Sequence, residues 1–276
     1  MTIRDLDIGF IGGGNMAQAI IGGLLRAGLP ATRLTVAEPD AARRSQLAQL
    51  AAGISTSKAN AAVAAAADVL VLAVKPQVMP AVLAELAGQR RPADQLVLSV
   101  AAGVPLATLA GALGPGTAIV RVMPNQPALV GAGMSVLVSA AGVSTSQRAL
   151  ALELVQTTGR ALWLEDESLM DAVTAVSGSG PAYFYLLMEL MEDGATRLGL
   201  PPGIARSLVR QTAMGAACSA ADESQDLAAL RATVTSPGGT TAAAVAVMEQ
   251  AGIRDTVSRA LTAARDRGAE LGRGKR

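Results

Sequence analysis

Two kinds of stretch in this chain could do chemistry, and they lie in opposite halves. Near the start, Gly12, Gly14 and Ala17 fit the spacing G-x-G-x-x-G/A inside Ile8-Gly9-Phe10-Ile11-Gly12-Gly13-Gly14-Asn15-Met16-Ala17. Gly12 permits a tight turn, Gly14 lets a pyrophosphate approach bare backbone, and Ala17 is small enough for a helix to pack on a strand. A helix that opens there presents unpaired N–H groups and a partial positive charge to phosphates. In the second half, Ser177-Gly178-Ser179-Gly180-Pro181 and Thr235-Ser236-Pro237-Gly238-Gly239-Thr240-Thr241 join hydroxyls to glycines ahead of apolar runs. Each reads as a loop with backbone donors and hydroxyls at a helix start, a combination suited to a carboxylate or a phosphate. Two such loops beside a dinucleotide domain point to a carboxylate substrate.

What the chain lacks narrows the chemistry further. It has no histidine, one cysteine (Cys218) and three lysines, Lys58, Lys75 and Lys275. An intramolecular disulfide, a cysteine-based metal cage, a classical zinc site and Ser-His-Asp or Cys-His catalysis are therefore excluded, and no metal is expected. A hydroxy-acid dehydrogenase needs a general acid/base, usually Lys or His, and the second half offers neither within its helices. Reduction of a cyclic imine asks for less, because the imine can enter already protonated and accept hydride as a cation. A hydroxyl contact to nitrogen then suffices, and Thr240 and Thr241 are the candidates. Glu165, Asp166 and Glu167 read as helix-start residues.

The elements that must position these groups follow from the apolar pattern. A strand ending at Ile11 runs into a helix over 16–26, and Leu34-Thr35-Val36-Ala37 reads as the next strand. That strand ends at Glu38, where the ribose-binding acid of a dinucleotide fold belongs. Pro39-Asp40 starts a helix through about residue 50, and Lys58 and Asn60 mark the turn of a shorter strand-and-helix passage. The unbroken run Asp68-Val69-Leu70-Val71-Leu72-Ala73-Val74 suits a parallel strand buried on both faces. Pro76 is expected at the first position of the following helix. Further strands fall at 96–100, 118–123, 134–138 and 161–164, with a helix over 146–158. The fold class is α/β, a doubly wound parallel sheet of Rossmann type followed by an all-helical domain. The boundary is expected at Leu164-Glu165, giving a dinucleotide domain over 1–164 and a helical domain over 165–276.

Composition sets the remaining bounds. Hydrophobic residues make up 51% of the 276 residues but aromatics only 2%, so the core must be built from Ala, Val, Leu, Ile and Met. With net charge +1 and no dense basic run before residues 273–276, nothing points to nucleic acid or an anionic membrane, and the terminal cluster reads as a solvated tail. No apolar run reaches the ~20 residues that span a bilayer, and the start lacks a signal-peptide build. A cytoplasmic protein is expected. The helix from Pro181 is apolar on nearly every side over Ala182-Tyr183-Phe184-Tyr185-Leu186-Leu187-Met188. A helical domain of roughly 110 residues could hardly cover it alone, so dimerisation through this domain is expected.

Taken in order, six motifs resemble the pyrroline-5-carboxylate reductase family. They are Gly12-Gly13-Gly14-Asn15-Met16, Ala73-Val74-Lys75-Pro76, Ala101-Ala102-Gly103-Val104, Met123-Pro124-Asn125-Gln126-Pro127, Ser177-Gly178-Ser179-Gly180-Pro181-Ala182-Tyr183 and Ser236-Pro237-Gly238-Gly239-Thr240-Thr241. The resemblance covers residues 8–265. It implies reduction of 1-pyrroline-5-carboxylate to L-proline, with a β-hydroxyacid dehydrogenase or a non-catalytic dinucleotide-binding regulator as alternatives. Cofactor contacts carried over are Gly12, Gly13, Gly14, Asn15, Met16, Glu38, Asn60, Ala73, Val74, Lys75, Pro76, Val100, Ala101 and Ala102. Substrate contacts carried over are Glu167, Ser236, Pro237, Gly238, Gly239, Thr240 and Thr241, with the Ser-Pro-Gly-Gly turn holding the carboxylate. The family implies a homodimer, and in many members a higher oligomer built from dimers. Glu38 departs from the small or uncharged polar residue that many members carry there. Since Arg43 or Arg44 could pair a 2′-phosphate while Glu38 turns to solvent, the expectation is NADP(H) with NAD(H) also accepted.

Overall fold

In the computed structural model, which describes residues 3–89 and 91–272, β1 (Ile8–Ile11) lies inside an eight-stranded sheet. The expected solvated tail, residues 273–276, lies outside the described residues. Every residue of β1, β4 (Val69–Leu72) and β5 (Leu96–Ser99) is buried. Both faces of these strands are covered, so their sequences run apolar without alternation. The remaining strands are β2 (Leu34–Ala37), β3 (Ser55–Ser57), β6 (Ala118–Met123), β7 (Gly133–Ser139) and β8 (Gly159–Trp163), in the order β3-β2-β1-β4-β5-β6-β7-β8. The order reverses at β1, which has β2 on one flank and β4 on the other. A ligand crevice opens at such a switch point, beyond the carboxyl ends of the strands.

Two apolar cores lie on the two faces of the sheet. On one face, Ile21 and Leu24 of α1 (Asn15–Arg26), Leu47 of α2 (Ala41–Leu50) and Leu154 of α6 (Thr145–Gln156) pack with Phe10 and Leu98. On the other, Val63 of α3 (Asn60–Ala66), Met79 of α4 (Met79–Leu86) and Leu109 of α5 (Leu106–Leu113) pack with Ile11, Leu72 and Ile119. Phe10 is the one aromatic residue in either buried set; aliphatic side chains fill the rest, as the composition requires.

Local chemistry explains where the elements depart from expectation. Pro76 stands in a turn closed by Val78 N–H donating to Lys75 O (2.9 Å), and α4 begins at Met79 with Pro80 in its first turn. Pro80 takes the place that suits a proline, where no donor is lost. β7 is antiparallel to β6 within the otherwise parallel sheet. Only a short 3-10 turn, Gln126–Val130, joins them, and a parallel return would need a crossover of a dozen residues or more. The largest correction concerns residues 177–181, which are helical rather than a loop. α7 (Met170–Val173) continues through a π turn (Thr174–Gly178), and α8 (Gly180–Arg197) begins almost at once. α8 thus follows another helical turn almost directly, not a glycine-serine loop.

The chain divides into two compact units, one reaching to Ser179 and resuming at Ala264, the other spanning Gly180–Ala263. Residues 165–179, which the sequence grouped with the helical domain, belong to the first unit, where Met170 and Ala175 are buried. The second unit contains α8, α9 (Pro202–Ala220), α10 (Leu227–Thr233), α11 (Thr240–Gln250) and the first part of α12 (Ile253–Gly272). Its buried hydrophobic residues, among those described, are Ala205 and Val209, whereas Phe184, Leu186 and Leu190 are 70%, 55% and 54% exposed. Covering a large apolar side chain is worth about 1.5–3 kcal/mol. A second copy of the unit can supply that cover. Sedimentation at micromolar concentration should therefore report a dimer, and Phe184→Glu should shift it toward monomer. A monomeric unsubstituted protein would contradict this.

Candidate active site

The glycine turn after β1 is shaped by what surrounds it. Gly12 has φ +93°, and a side chain there would meet Ala73 O at 2.8 Å. Its N–H donates to Ala37 O (2.8 Å), tying the turn to the end of β2. Gly14 is the N-cap of α1 and supplies no capping side chain, and nothing lies within 4 Å of the position a Cβ would take. The first amides of the 12-residue α1 are thus left open to an anion, with Asn15 and Met16 as its first residues. Bare backbone, open space and an uncapped helix fit the diphosphate of a dinucleotide.

Glu38 closes this turn from below. Its carboxylate accepts from Gly13 N–H (2.9 Å) and Asp40 N–H (3.0 Å), and the residue is only 3% exposed. The expectation that it could turn to solvent is corrected: both oxygens are held by backbone donors. Arg43, half exposed, stands 3.4 Å from the same carboxylate. Arg44 is spent on the backbone, donating to Glu38 O and Pro39 O at 2.8 and 2.7 Å. Arg43 is thus the cation nearer to hand for a 2′-phosphate.

The other residues carried over for the cofactor gather along the same carboxyl edge of the sheet. Ala73, Val74, Lys75 and Pro76 follow β4, and Val100, Ala101 and Ala102 follow β5. Ala73 N–H donates to Ile11 O (2.8 Å) and Val100 N–H to Leu72 O (3.1 Å), so the strand ends stay in register. Asn60 opens α3, and its amide donates to Glu85 on α4 at 2.7 Å. Glu85 gave no signal in the sequence.

Of the residues carried over for substrate, Ser236, Pro237, Gly238, Gly239, Thr240 and Thr241 form one turn that opens α11 in the second unit. Gly238 has φ +71°, Gly239 N–H donates to Ser236 O (3.0 Å), and Gly239 caps α11 without a side chain. The first amides of α11 point out of a helix 11 residues long, and Thr240 is exposed while Thr241 is half-buried. Such an end can hold a carboxylate.

Glu167 lies in the first unit. Its Oε1 accepts from Arg121 Nη1 and from Leu106 N–H, both at 2.8 Å, so it caps α5 and neutralises a buried guanidinium. Asp166 caps the short turn Glu167–Leu169, and hydrogen bonds from the Ser168 hydroxyl and N–H hold its carboxyl below the usual range. Glu165 pairs with Arg148 at 2.8 Å. Arg121 was missed in the sequence, because an arginine within an apolar strand carries no spacing signal.

Two family models match the chain, one in each half. Residues 167–271 match the model described as pyrroline-5-carboxylate reductase dimerisation, and residues 7–103 match the model described as NADP oxidoreductase coenzyme F420-dependent. The chain is 48% identical over 264 residues to the pyrroline-5-carboxylate reductase of Pseudomonas aeruginosa, covering 96% of each chain. A pyrroline-5-carboxylate reductase from Coxiella burnetii superposes with TM-score 0.88 at 38% identity, covering 96% of this chain and 98% of that one. The Plasmodium falciparum pyrroline carboxylate reductase, solved with NADP bound, gives 0.87 at 28% identity over 98% of this chain and 100% of its own.

Glu38 should set how strongly the site prefers a dinucleotide carrying a 2′-phosphate. Glu38→Gln removes the charge and keeps one of the two acceptors. Fluorescence titration of both reduced dinucleotides should show weaker binding of each and an affinity ratio shifted about ten-fold toward the phosphorylated one, ~1.4 kcal/mol. An unmoved ratio would assign the preference to Arg43 alone.

Proposed function

The chain belongs to the pyrroline-5-carboxylate reductase family, and on that premise we propose that its two units together reduce 1-pyrroline-5-carboxylate to L-proline, the last step of proline synthesis, with NADPH. The observation that carries this reading is identity of 48% to a reductase of that name over 96% of both chains. The residues fit the chemistry without strain. NADPH supplies the hydride when bound. The open amides of α1 and the bare backbone at Gly14 would hold its diphosphate, Glu38 and Arg43 would meet the adenosine ribose, and the segments after β4 and β5 would receive the nicotinamide.

The residues at the start of α11 do the rest. The substrate carboxylate sits on the amides that follow Ser236, Pro237, Gly238 and Gly239, where the helix dipole and open N–H groups favour an anion. Thr241 bonds the imine nitrogen and orients the C=N bond for hydride, with Thr240 beside it. No side chain needs to deliver a proton, since the imine enters as the iminium. This is how a chain without histidine can be a reductase. A hydroxy-acid dehydrogenase would have to move a hydroxyl proton with a base that the helical unit lacks. A dinucleotide-binding regulator would have no use for the Ser-Pro-Gly-Gly turn.

The homodimer forms through the helical unit, and assembly of dimers into a higher oligomer belongs to the same proposal. No helix among the described residues is long and apolar enough to cross a membrane; we place the enzyme in the cytoplasm. Following absorbance of NADPH, and separately of NADH, with pyrroline-5-carboxylate tests the reading. Oxidation with both is expected, faster with NADPH; oxidation with neither would overturn it. Thr241→Ala should lower kcat/KM by about one to three orders of magnitude and leave dinucleotide affinity nearly unchanged. An equal loss of dinucleotide binding would make Thr241 structural instead.

A further inference from the structure

Asn125, just past the end of β6, takes no part in the chemistry above, yet its side chain joins three segments. The cause begins at Ser177. In an α-helix its carbonyl would accept from the N–H four residues on, and that residue is Pro181, which has none. A proline ring also crowds the carbonyl four residues before it. The chain widens here into the π turn Thr174–Gly178, closed by Ser179 N–H donating to Thr174 O at 2.8 Å. Asn125 then supplies a donor from outside the helix, with Nδ2–H bonding Ser177 O at 3.1 Å.

The other end of the same carboxamide is fixed as well. Its Oδ1 accepts from Met134 N–H in β7 at 2.9 Å. A backbone N–H can only donate and a carbonyl only accept, so these two partners determine the amide's orientation. Met123, the last residue of β6, reaches with the end of its side chain to where a Cβ at position 178 would stand, so the π turn packs closely on the strand end. One amide and one methionine thus hold the π turn to the carboxyl end of β6. The same sheet edge carries Gly12, Ala73 and Val100. π turns within helices recur at functional sites.

We propose that Asn125 is a positioning residue for the reduction: by tying the π turn Thr174–Gly178 to the end of β6 it holds in place the sheet edge that receives the nicotinamide. The inference rests on the reductase reading. It differs from that reading in its test, because part of the readout needs no turnover. Asn125→Ala removes both bonds. Asn125→Asp keeps the acceptor for Met134 but sets a carboxylate against the Ser177 carbonyl, and protonation of that carboxylate restores an O–H donor.

Hydrogen exchange of residues 174–179 should be faster in both variants than in the unsubstituted protein. Asn125→Ala should lower kcat about ten- to a hundred-fold, with dinucleotide affinity, read by fluorescence titration, within about two-fold of the unsubstituted value. For Asn125→Asp, activity relative to the unsubstituted enzyme at each pH should rise several-fold as pH falls from about 7.5 to about 5.5, since burial raises a carboxyl pKa. The same ratio for Asn125→Ala should stay flat. Unchanged exchange, unchanged kcat, dinucleotide affinity lost in step with kcat, or a flat ratio for the Asp variant would each overturn the proposal. If Asn125→Ala does not fold, the Asp variant carries the test. If the unsubstituted protein shows no reductase activity, faster exchange in the variants would still establish the tie while its catalytic meaning falls with the reading beneath it.

Discussion

Glu38 is where β2 ends, and its buried carboxylate is satisfied by the amide of the glycine turn, the amide of Asp40 and the guanidinium of Arg43. A carboxylate taken out of water is costly unless its oxygens meet donors. Here the donors belong to two segments that are far apart in sequence, so satisfying the charge also locks the turn after β1 to the start of α2. What the first unit offers a dinucleotide depends on that lock. With Gly13 held, Gly14 lies open, α1 starts without a side-chain cap, and its first amides remain free. The same charge stands where a 2′-phosphate would come, with Arg43 as its counterweight. In the proposed reading, the shape of the turn and the charge facing the ribose thus meet in one residue.

The second unit depends on a different constraint. Its helices bury almost no apolar side chains of their own and expose a stripe along α8. Such a unit gains stability by covering that stripe with another copy. The proposed anion site of this unit is the uncapped start of α11, after a turn with glycine at Gly238. Anion binding by backbone amides asks nothing of the side-chain inventory. That suits a helical unit whose sequence supplies no lysine or histidine.

Much of this was legible in the sequence because the signals were local. The run ending at Ile11, the glycine spacing and the strand at 34–37 each follow from two or three adjacent residues, and the strand at 118–123 has the same bounds in the structure. The Ser-Pro-Gly-Gly turn was legible for the same reason. Residues 177–181 were misread because glycine and serine suggest a loop, whereas packing of Met123 on Gly178 and the bond from Asn125 sustain a helix through them. The direction of the Glu38 carboxylate, the Arg121–Glu167 pair and the Asn60–Glu85 bond are contacts between distant segments. No periodicity encodes them. The antiparallel β7 was hidden because a strand's own pattern does not state the direction of its neighbour.

In the proposed reading the chemistry reduces to placing a protonated cyclic imine, held by its carboxylate and touched at nitrogen by a hydroxyl, before a hydride donor. The most direct measurement follows the hydride itself. The protein is incubated with pyrroline-5-carboxylate and NADPH deuterated on one or the other face of the nicotinamide, and the product is examined by mass spectrometry and NMR. The account requires L-proline with a single deuterium on the ring carbon next to nitrogen and remote from the carboxylate, from only one of the two labelled forms. No proline, label at any other carbon, or unlabelled proline from both forms would contradict it.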